Sequence, residues 1–332
     1  MQNKGLLFIP DISGFTTFVN TTAIEHSQHI ISELLSEILD ANILNLKLSE
    51  IEGDAILFYK YGDPPTFDEL YHQVEKIFVR FHQHLKTYEQ NRICNCGACE
   101  SAPSLTLKFI THYGEYTTYQ VKDNFKLIGK SIITAHRLLK NTIPGNEYWL
   151  ITEPLLSVAG NIAPNTLTLQ PSVQQVDNAD LQVHYCDLAV LRENIIAKPW
   201  TASSLNAPHT EVLNLNYILP HNMYSLLQIV TNLSIRSQWM EGVKSIEKSD
   251  HMINQLGNVH NCILANRCDI IQTTTFIKTD SSIEYGELID GMGFLNFTFE
   301  QMNVSSTNVN IRLSIKKNFM NESDVFHHKK EE

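Results

Sequence analysis

Two aspartates stand beside glycines at the ends of apolar stretches, 43 residues apart in the chain. Asp11 follows the apolar run 5–10, and Asp54 precedes the apolar run 55–59. Carboxylates at the ends of strands are the ligands that suit a divalent cation carrying a phosphate. Taken singly, Gly53-Asp54 also suits a hairpin turn, and Asp11 also suits a helix cap. Because the two occur together, joined by a helical pattern, the pair favours a metal site.

A second group of metal-ligand residues is the loop that contains Cys94, Cys96 and Cys99. Three thiolates at this spacing suit Zn²⁺, but a structural zinc site has four ligands. The candidates for the fourth ligand are His82, His84, His112 and Cys186. The alternative is three reduced thiols on a surface loop, because the usual zinc fingerprint is incomplete.

Hydrophobic periodicity predicts the elements that position the two aspartates. Helical spacing predicts helices over about residues 23–45, 67–85 and 129–141. Strand patterns lie at 5–10, 46–59, 105–111, 148–152, 167–169 and 183–185, where 46–59 is a hairpin with Gly53 and Asp54 at its tip. The order strand, helix, hairpin, helix, strands, helix, strand is typical of an α+β sandwich of ferredoxin-like type.

The second half of the chain has a different pattern. Residues 198–208 are rich in Pro, Ser and Ala and indicate a linker. A helix is predicted over 223–230, and strands are predicted over 211–219, 243–247, 257–265, 270–278, 283–289, 293–301 and 307–315. The sequence therefore predicts a second α+β domain that is mostly an antiparallel meander.

Composition limits the class of protein. The 332 residues give room for two or three domains, and 43% hydrophobic with 18% charged residues is ordinary for a globular protein. A net charge of −11 argues against binding to nucleic acid or to anionic membranes. No apolar run approaches a membrane span, and the N-terminus has no long apolar segment typical of a signal peptide. Six unevenly spaced cysteines fit a reducing cytoplasm.

The two aspartate motifs resemble those of a known family. Asp-Ile-Ser-Gly-Phe-Thr at 11–16 and Glu-Gly-Asp-Ala at 52–55 are similar to the two metal-binding motifs of class III nucleotidyl cyclases. His-Tyr-Gly-Glu at 112–115 resembles the strand-turn before the dimer arm of that family, and 127–138 resembles its segment with a transition-state Asn and Arg. The resemblance covers about residues 5–150. It implies an enzyme that converts a nucleoside triphosphate to its 3′,5′-cyclic monophosphate.

The resemblance also implies roles for individual residues. Asp11, Asp54 and the Ile12 backbone would hold two Mg²⁺ or Mn²⁺ ions, and the backbone as far as Phe15 would lie against the phosphates. Arg137 would stabilise charge at the α-phosphate. Since the family forms its site between two protomers, a homodimer is implied.

Three positions depart from the family pattern. Ile133 stands where the family has its Asn, four residues before Arg137. The two purine-selecting positions are Glu50 and Lys126, of which the glutamate suits a guanine edge. The lysine that contacts the terminal phosphates has no clear counterpart, and the substitutes are Lys130 and Lys140. Two hypotheses therefore stand: a cyclase, or a non-catalytic nucleotide or lipid-like ligand sensor.

Over nearly its whole length the chain resembles an uncharacterised bacterial cyclase-homology family, often joined to a START-like (SRPBCC) helix-grip domain. The resemblance is carried by the cysteine loop, the 112–115 motif and His-Arg-Leu-Leu-Lys-Asn at 136–141. It implies a cyclase-homology domain at 1–197, the linker 198–208, a START-like domain at 209–320 and a polar tail at 321–332. Such a domain would bind a small apolar molecule. The expected lining is Ile263, Phe276, Ile277, Leu295, Phe297 and Phe299.

Overall fold

A computed structural model of the chain describes residues 3–22, 24–94, 96–122, 124–160, 167–198, 209–247, 254–265 and 267–316. The chain divides into two compact units. The first comprises residues 1–90 and 96–198, and the second comprises residues 91–95 and 199–332. The predicted linker 198–208, apart from Lys198, and the predicted tail 321–332 lie outside the described residues.

The first unit is an eight-stranded sheet with helices. Its elements are β1 (Asn3–Ser13), α1 (Phe15–Thr21), α2 (Ile24–Asp40), β2 (Lys47–Glu52), β3 (Ala55–Tyr61), α3 (Phe67–Asn91), α4 (Gly97–Ser101), β4 (Thr106–Val121), β5 (Asn124–Ile128), α5 (Lys130–Leu138), β6 (Tyr148–Thr152), α6 (Glu153–Ala159), β7 (Gln170–Val176) and β8 (Ala179–Asp187). The strand order is β2-β3-β1-β4-β6-β8-β7, and β5 pairs with β4. The β4–β6 pair is parallel and the other pairs are antiparallel.

β1 is buried on both faces because its apolar run leaves no polar side of the strand. Leu7 and Ile9 pack in a core to which α5 contributes. Phe8 points to the opposite face, as alternation requires, and its ring contacts Phe58 and Phe109 edge to face at 6.4 and 5.8 Å. Each such buried side chain contributes roughly 1.5–3 kcal/mol. The central strand is therefore firmly held where the site begins.

α2 and α3 are held together by polar contacts as well as by their apolar faces. The buried Gln73 side chain donates from Nε2 to the Ala41 carbonyl at 2.9 Å and accepts from the Leu44 amide at 2.9 Å. Arg80 of α3 pairs with Glu37 of α2, with Nη2 and Oε2 2.7 Å apart. Gln73 thus satisfies backbone groups that the end of α2 leaves open.

The structure confirms most predicted elements of the first unit and corrects several. The hairpin is present, but the helix predicted over 23–45 is α2 and ends at Asp40. α1 and α6 were not predicted, because seven residues are too few to establish a helical period. Residues 112–115 lie inside the continuous strand β4 and form no turn, and 167–169 is not a strand, since β7 begins at Gln170.

The α+β class is confirmed for the first unit. The strands β1 to β4 have the order β2-β3-β1-β4 with antiparallel neighbours, and helices follow β1 and β3. This is the ferredoxin-like arrangement that the sequence predicts. In the part of the chain that the structure describes, no helix has the length and apolar character to span a membrane.

The second unit contains a seven-stranded antiparallel sheet with the order β10-β11-β12-β13-β14-β15-β9. Its elements are β9 (His209–Leu219), α7 (Met223–Thr231), α8 (Arg236–Trp239), β10 (Val243–Glu247), β11 (Val259–Leu264), β12 (Cys268–Lys278), β13 (Ser282–Ile289), β14 (Gly293–Asn303) and β15 (Ser306–Lys316). The predicted meander and the helix are confirmed. The START-like assignment stays a prediction.

The apolar interior of the second unit is packed against α7. Phe297 and Phe299 are buried there with Met223 of α7, and Leu295 packs against them in part. Phe276 also packs against this core. Two of the residues expected to line this interior are not buried in it: Ile263 is only half-buried, and Ile277 is 54% exposed. The inclusion of Ile277 was wrong because alternation places it on the face opposite to Phe276.

A buried polar network lies inside the same unit, in which Arg236 Nε and His260 Nδ1 have no hydrogen-bond partner among the described residues. Arg236 and Glu287 are fully buried and form an ion pair, and Arg236 Nη1 lies 2.8 Å from His260 Nε2. Because arginine only donates, Nε2 is the acceptor, and burial lowers the pKa of His260 to about 4, which keeps the ring neutral. Tyr285 donates to Glu287 Oε1 at 2.5 Å, and Asn254 donates to the Tyr285 hydroxyl at 2.7 Å.

We expect Glu287→Ala to lower the free energy of unfolding of the chain by about 3–5 kcal/mol, because it leaves the Arg236 guanidinium buried without a counter-charge. Chemical denaturation followed by circular dichroism measures the loss. Glu284→Ala is the matched control, since Glu284 is exposed on the same strand. The double variant Arg236→Met, Glu287→Leu should lose far less, and a double variant as unstable as Glu287→Ala would contradict the explanation.

Candidate functional site

Asp11 and Asp54 meet at one end of β1. Asp11 is opposite Ala55 in the β1–β3 register, and Ala55 directly follows Asp54. The Ile12 amide donates to the Asp54 carbonyl oxygen at 3.1 Å. The two predicted metal-ligating residues, Asp11 and Asp54, are 43 residues apart in the sequence. The structure brings them together with the Ile12 backbone.

Lys108 is a site residue that the sequence analysis missed. It lies opposite Asp11 in the β1–β4 register, and its Nζ is 2.9 Å from Asp11 Oδ2. The same Nζ donates to the Leu139 carbonyl at 3.1 Å. A signal was present, because Lys108 interrupts the short apolar run 107–110, where a buried charge requires a partner. Asp11 is therefore ion-paired and only 8% exposed.

The carboxyl of Asp54 has a perturbed pKa. Burial, and next the Asp11 carboxylate, raise the pKa of Asp54 from its ordinary 3.8 to about 6. The amide of Asp54 itself and the Lys108 ammonium oppose this shift. The influence of Asp11 on Asp54 shows that the two negative charges are close enough to repel, and a bound cation would relieve that repulsion. Perturbed carboxyls of this kind are typical of functional sites.

The loops that carry the two aspartates turn at glycines. Gly14 has φ +91° just before α1, and Gly53 has φ +63° in the β2–β3 turn. Glycine adopts these angles without the steric cost of a side chain. Phe15 lies beside the second turn, because its Cε1 is 3.7 Å from the point that a Cβ on Gly53 would occupy. Phe15 is thus placed close to both loops, as the predicted nucleotide contact requires.

The two predicted purine-selecting residues contact each other. Glu50 of β2 and Lys126 of β5 form an ion pair, in which the lysine is half-exposed and the glutamate largely buried. β5 pairs with the far end of β4, and together residues 117–128 form a two-stranded arm. A purine edge that binds Glu50 has to replace Lys126 as its partner.

Arg137 has a partner other than the two aspartates. It forms an ion pair with Asp177 in the β7–β8 turn, and its side chain is 50% exposed. Ile133 lies one turn earlier on the same face of α5 and is 51% exposed. Lys130 begins α5 and Lys140 follows its end, and both are exposed. The exposed face of α5 therefore carries Arg137, the residue predicted to stabilise charge at the α-phosphate. It lacks the side-chain amide of the family's asparagine, because Ile133 stands at that position.

The three cysteines of the predicted zinc loop lie together with a histidine that the sequence did not indicate. The ligand atoms of His26, Cys94, Cys96 and Cys99 lie within 4.8 Å of one another. The four residues predicted as the fourth ligand lie elsewhere: His82 contacts Glu147, His84 contacts Glu33, His112 contacts Thr152, and Cys186 is buried in β8. Those four predictions were wrong, because His26 on α2 occupies the position.

We expect Asp54→Asn to raise the Tm of the metal-free protein by a few degrees near neutral pH. The charged Asp54 carboxylate is destabilised by burial and by repulsion from Asp11, whereas a neutral amide is not. The folded-state pKa of about 6 lies above the ordinary 3.8. The contribution of Asp54 to the stability of the folded state is therefore fully present at a pH below the ordinary pKa of 3.8. It is lost as the pH rises through the folded-state pKa of about 6. The advantage of the variant should be greatest above that pH and should shrink towards acid, as thermal melts over a pH series will measure.

Asp63→Asn serves as the control, because Asp63 is exposed in the loop after β3. It should leave the Tm unchanged at every pH. An Asp54→Asn variant that is less stable than the wild type near neutral pH would contradict the electrostatic coupling.

Comparison with solved structures finds nucleotidyl cyclase domains. The guanylate cyclase domain of RhGC from Catenaria anguillulae, in complex with GTP, is 16% identical with a TM-score of 0.41, covering 55% of this chain and 96% of that one. The adenylyl cyclase CyaB from P. aeruginosa is 15% identical with a TM-score of 0.40, covering 56% of this chain and 94% of that one. These are distant likenesses, and the function of this chain has to be argued from its own residues.

Sequence comparison gives a closer relationship. The family model described as "Protein of unknown function (DUF2652)" matches residues 31–148. The "Uncharacterized protein Rv2561/Rv2562" of Mycobacterium tuberculosis is 30% identical over 159 residues, which are 48% of this chain and 73% of the mycobacterial protein. This chain therefore belongs to the same protein family as Rv2561/Rv2562.

Proposed function

We propose that the first unit binds a nucleoside triphosphate together with Mg²⁺ or Mn²⁺ at Asp11 and Asp54 and converts it to a cyclic nucleotide. The observation that carries the proposal is the pair of coupled carboxylates at the end of β1, of which Asp54 has its pKa raised to about 6 by burial and by Asp11. Carboxylate oxygens are the ligands that hard divalent cations prefer, and such cations bind through phosphates as well.

In this proposal the residues divide the work. Asp11, Asp54 and the Ile12 backbone would hold the ions, which would supply the positive charge that lowers the pKa of the 3′-hydroxyl and neutralises the triphosphate. The backbone leading to Phe15 holds the phosphates in place. Arg137 stabilises the charge that develops at the α-phosphate. The 3′-hydroxyl gives its proton to solvent water, and its oxygen forms a bond to the α-phosphorus in line with the bond from that phosphorus to the bridging β-phosphate oxygen. That bond breaks, and pyrophosphate leaves with its electron pair.

A second copy of the chain would complete the site. One face of the arm carries three large apolar side chains, Tyr119, Val121 and Ile128, which are 45, 56 and 53% exposed, and Phe125 on the other face is 63% exposed. The β4–β5 register places the first three on the same face as Lys126. An apolar face of this kind marks an interaction surface. In a homodimer it would be covered, and the exposed Arg137 of one copy would reach the aspartates of the other.

A second candidate function is a nucleotide sensor without turnover. Ile133 cannot donate or accept a hydrogen bond, so the ribose would lack the amide that the cyclase family provides. Arg137 is held by Asp177, and Glu50 is held by Lys126. These three features favour binding over catalysis, whereas the paired aspartates are needed for both.

For the second unit we propose a START-like helix-grip domain at 209–320 that follows the linker 198–208 and ends before the tail 321–332. It would bind a small apolar molecule beside Phe297 and Phe299 and bias the dimer. The antiparallel sheet and its packing on α7 support the helix-grip part of this proposal. The cytoplasmic location, the homodimer and the domain limits are parts of the same proposal.

We expect the purified chain, incubated with Mn²⁺ and each of the four nucleoside triphosphates, to form a cyclic nucleotide that mass spectrometry detects. Asp54→Asn should abolish the product and weaken Mn²⁺-dependent nucleotide binding at least roughly tenfold, because a metal ligand is lost. The exposed Asp63 provides the matched control, and Asp63→Asn should leave both unchanged. Nucleotide binding without a cyclic product would establish the sensor. A nucleotide affinity that is unchanged by Mn²⁺ and by Asp54→Asn would contradict a metal-dependent site at these residues.

We expect Ile128→Glu to convert a two-chain assembly to single chains in sedimentation experiments with Mn²⁺ and nucleotide, since a charge on the apolar arm cannot be buried without a partner. Val304→Glu is the control, because Val304 is 94% exposed in the second unit. A wild-type protein that stays a monomer under these conditions would contradict the dimer. A dimer that Ile128→Glu leaves intact would show that the arm is not its interface.

A further inference from the structure

The loop between α3 and α4 gathers four side chains that bind soft metal ions. Cys96 Sγ is 3.1 Å from His26 Nδ1, Cys99 Sγ is 3.5 Å from the same nitrogen, and the two sulfurs are 3.5 Å apart. Cys94 stands two residues before Cys96, and its sulfur lies within 4.8 Å of the other three ligand atoms. We propose that His26, Cys94, Cys96 and Cys99 bind one structural Zn²⁺ ion.

The distances agree with a tetrahedral site. Zinc–sulfur bonds of about 2.3 Å and zinc–nitrogen bonds of about 2.0–2.1 Å in a tetrahedron place two sulfurs about 3.8 Å apart and a sulfur and a nitrogen about 3.6 Å apart. The three separations among His26, Cys96 and Cys99, 3.1 to 3.5 Å, are shorter than these values by at most about half an ångström. A metal ion therefore fits at the centre with only small movements of the side chains.

The kind and number of the ligands select the metal. Three thiolates with one imidazole form a Cys₃His set, which is one of the usual structural zinc sites. Mg²⁺ and Ca²⁺ prefer oxygen ligands, and an iron–sulfur cluster usually takes four cysteines. Among the described residues, this is the single group of three or more side chains arranged for a metal ion.

The fold explains how the four ligands meet. His26 lies in the first turn of α2, and Cys96 lies 70 residues later, directly before the five-residue helix α4. α4 packs against α1 and α2, and Cys99 within it is fully buried. Because a single turn of helix has little stability of its own, α4 needs another support. A zinc ion would fasten the loop to α2, and its binding energy would contribute to the stability of the fold.

Four protein ligands leave no open position for water or substrate, so the site is structural and takes no part in the nucleotide chemistry. It shares no ligand with the proposed nucleotide site at Asp11 and Asp54. The loss of zinc and the loss of nucleotide binding can therefore be measured separately.

The first test is elemental analysis of the full chain purified under reducing conditions without chelators, where we expect one zinc ion per chain. Cys99→Ser and His26→Gln should lower zinc affinity at least roughly tenfold, because each removes one ligand. His26→Cys should keep the zinc, since a fourth thiolate replaces the imidazole. The matched controls Cys268→Ser and His72→Gln alter exposed residues outside the group and should keep one zinc ion each.

A second measurement on the wild type covers the case in which the ligand variants fail to fold. Metal-free protein titrated with Co²⁺ should develop the visible bands of a tetrahedral cobalt–thiolate site, saturate at one ion per chain, and lose them when Zn²⁺ is added. Folded wild-type protein that contains no zinc and gives no such bands would overturn the proposal. So would mass spectrometry that finds a Cys96–Cys99 disulfide in freshly purified protein.

Discussion

The antiparallel pairing of β1 with β3 on one side and β4 on the other is the constraint on which the candidate site depends. This register sets Asp11 opposite both Ala55 and Lys108 and places Asp54 at the adjoining turn. A slip of one residue would turn every side chain of β1 to the other face. Because β1 is apolar and buried on both faces, such a slip would also replace each core contact. The core packing of one strand thus fixes the positions of two carboxylates.

The buried charges of the two units are balanced differently. In the second unit the charges of Arg236 and Glu287 are paired with each other beside a neutral His260. In the first unit Lys108 offsets one of the two carboxylates, and Asp54 is left with a raised pKa caused by burial and Asp11. A paired buried charge contributes to structure, whereas an excess of buried negative charge disfavours folding and is typical of functional sites.

Two separate sites meet in the stretch of chain that follows β1. The stretch leaves Asp11, turns at Gly14 into α1 and reaches His26 at the start of α2. A zinc ion at His26 would hold the far end of this stretch, while the sheet holds its beginning. The segment against which the phosphates are proposed to lie would then be fixed at both ends. Preorganisation of that kind lowers the entropic cost of binding a charged ligand.

The sequence by itself determined the order of the main helices and strands, the meander of the second unit and the chemical character of Asp11, Asp54 and the cysteine loop. These features depend on local periodicity and on residue type, which can be read along the chain. Lys108, His26 and the Asp177 partner of Arg137 were decided by tertiary structure, as were the short helices α1 and α6. Their positions follow from which strands become neighbours and which helix turn faces which loop. Such pairings are set by burial of the whole core, and no local pattern in the chain records them.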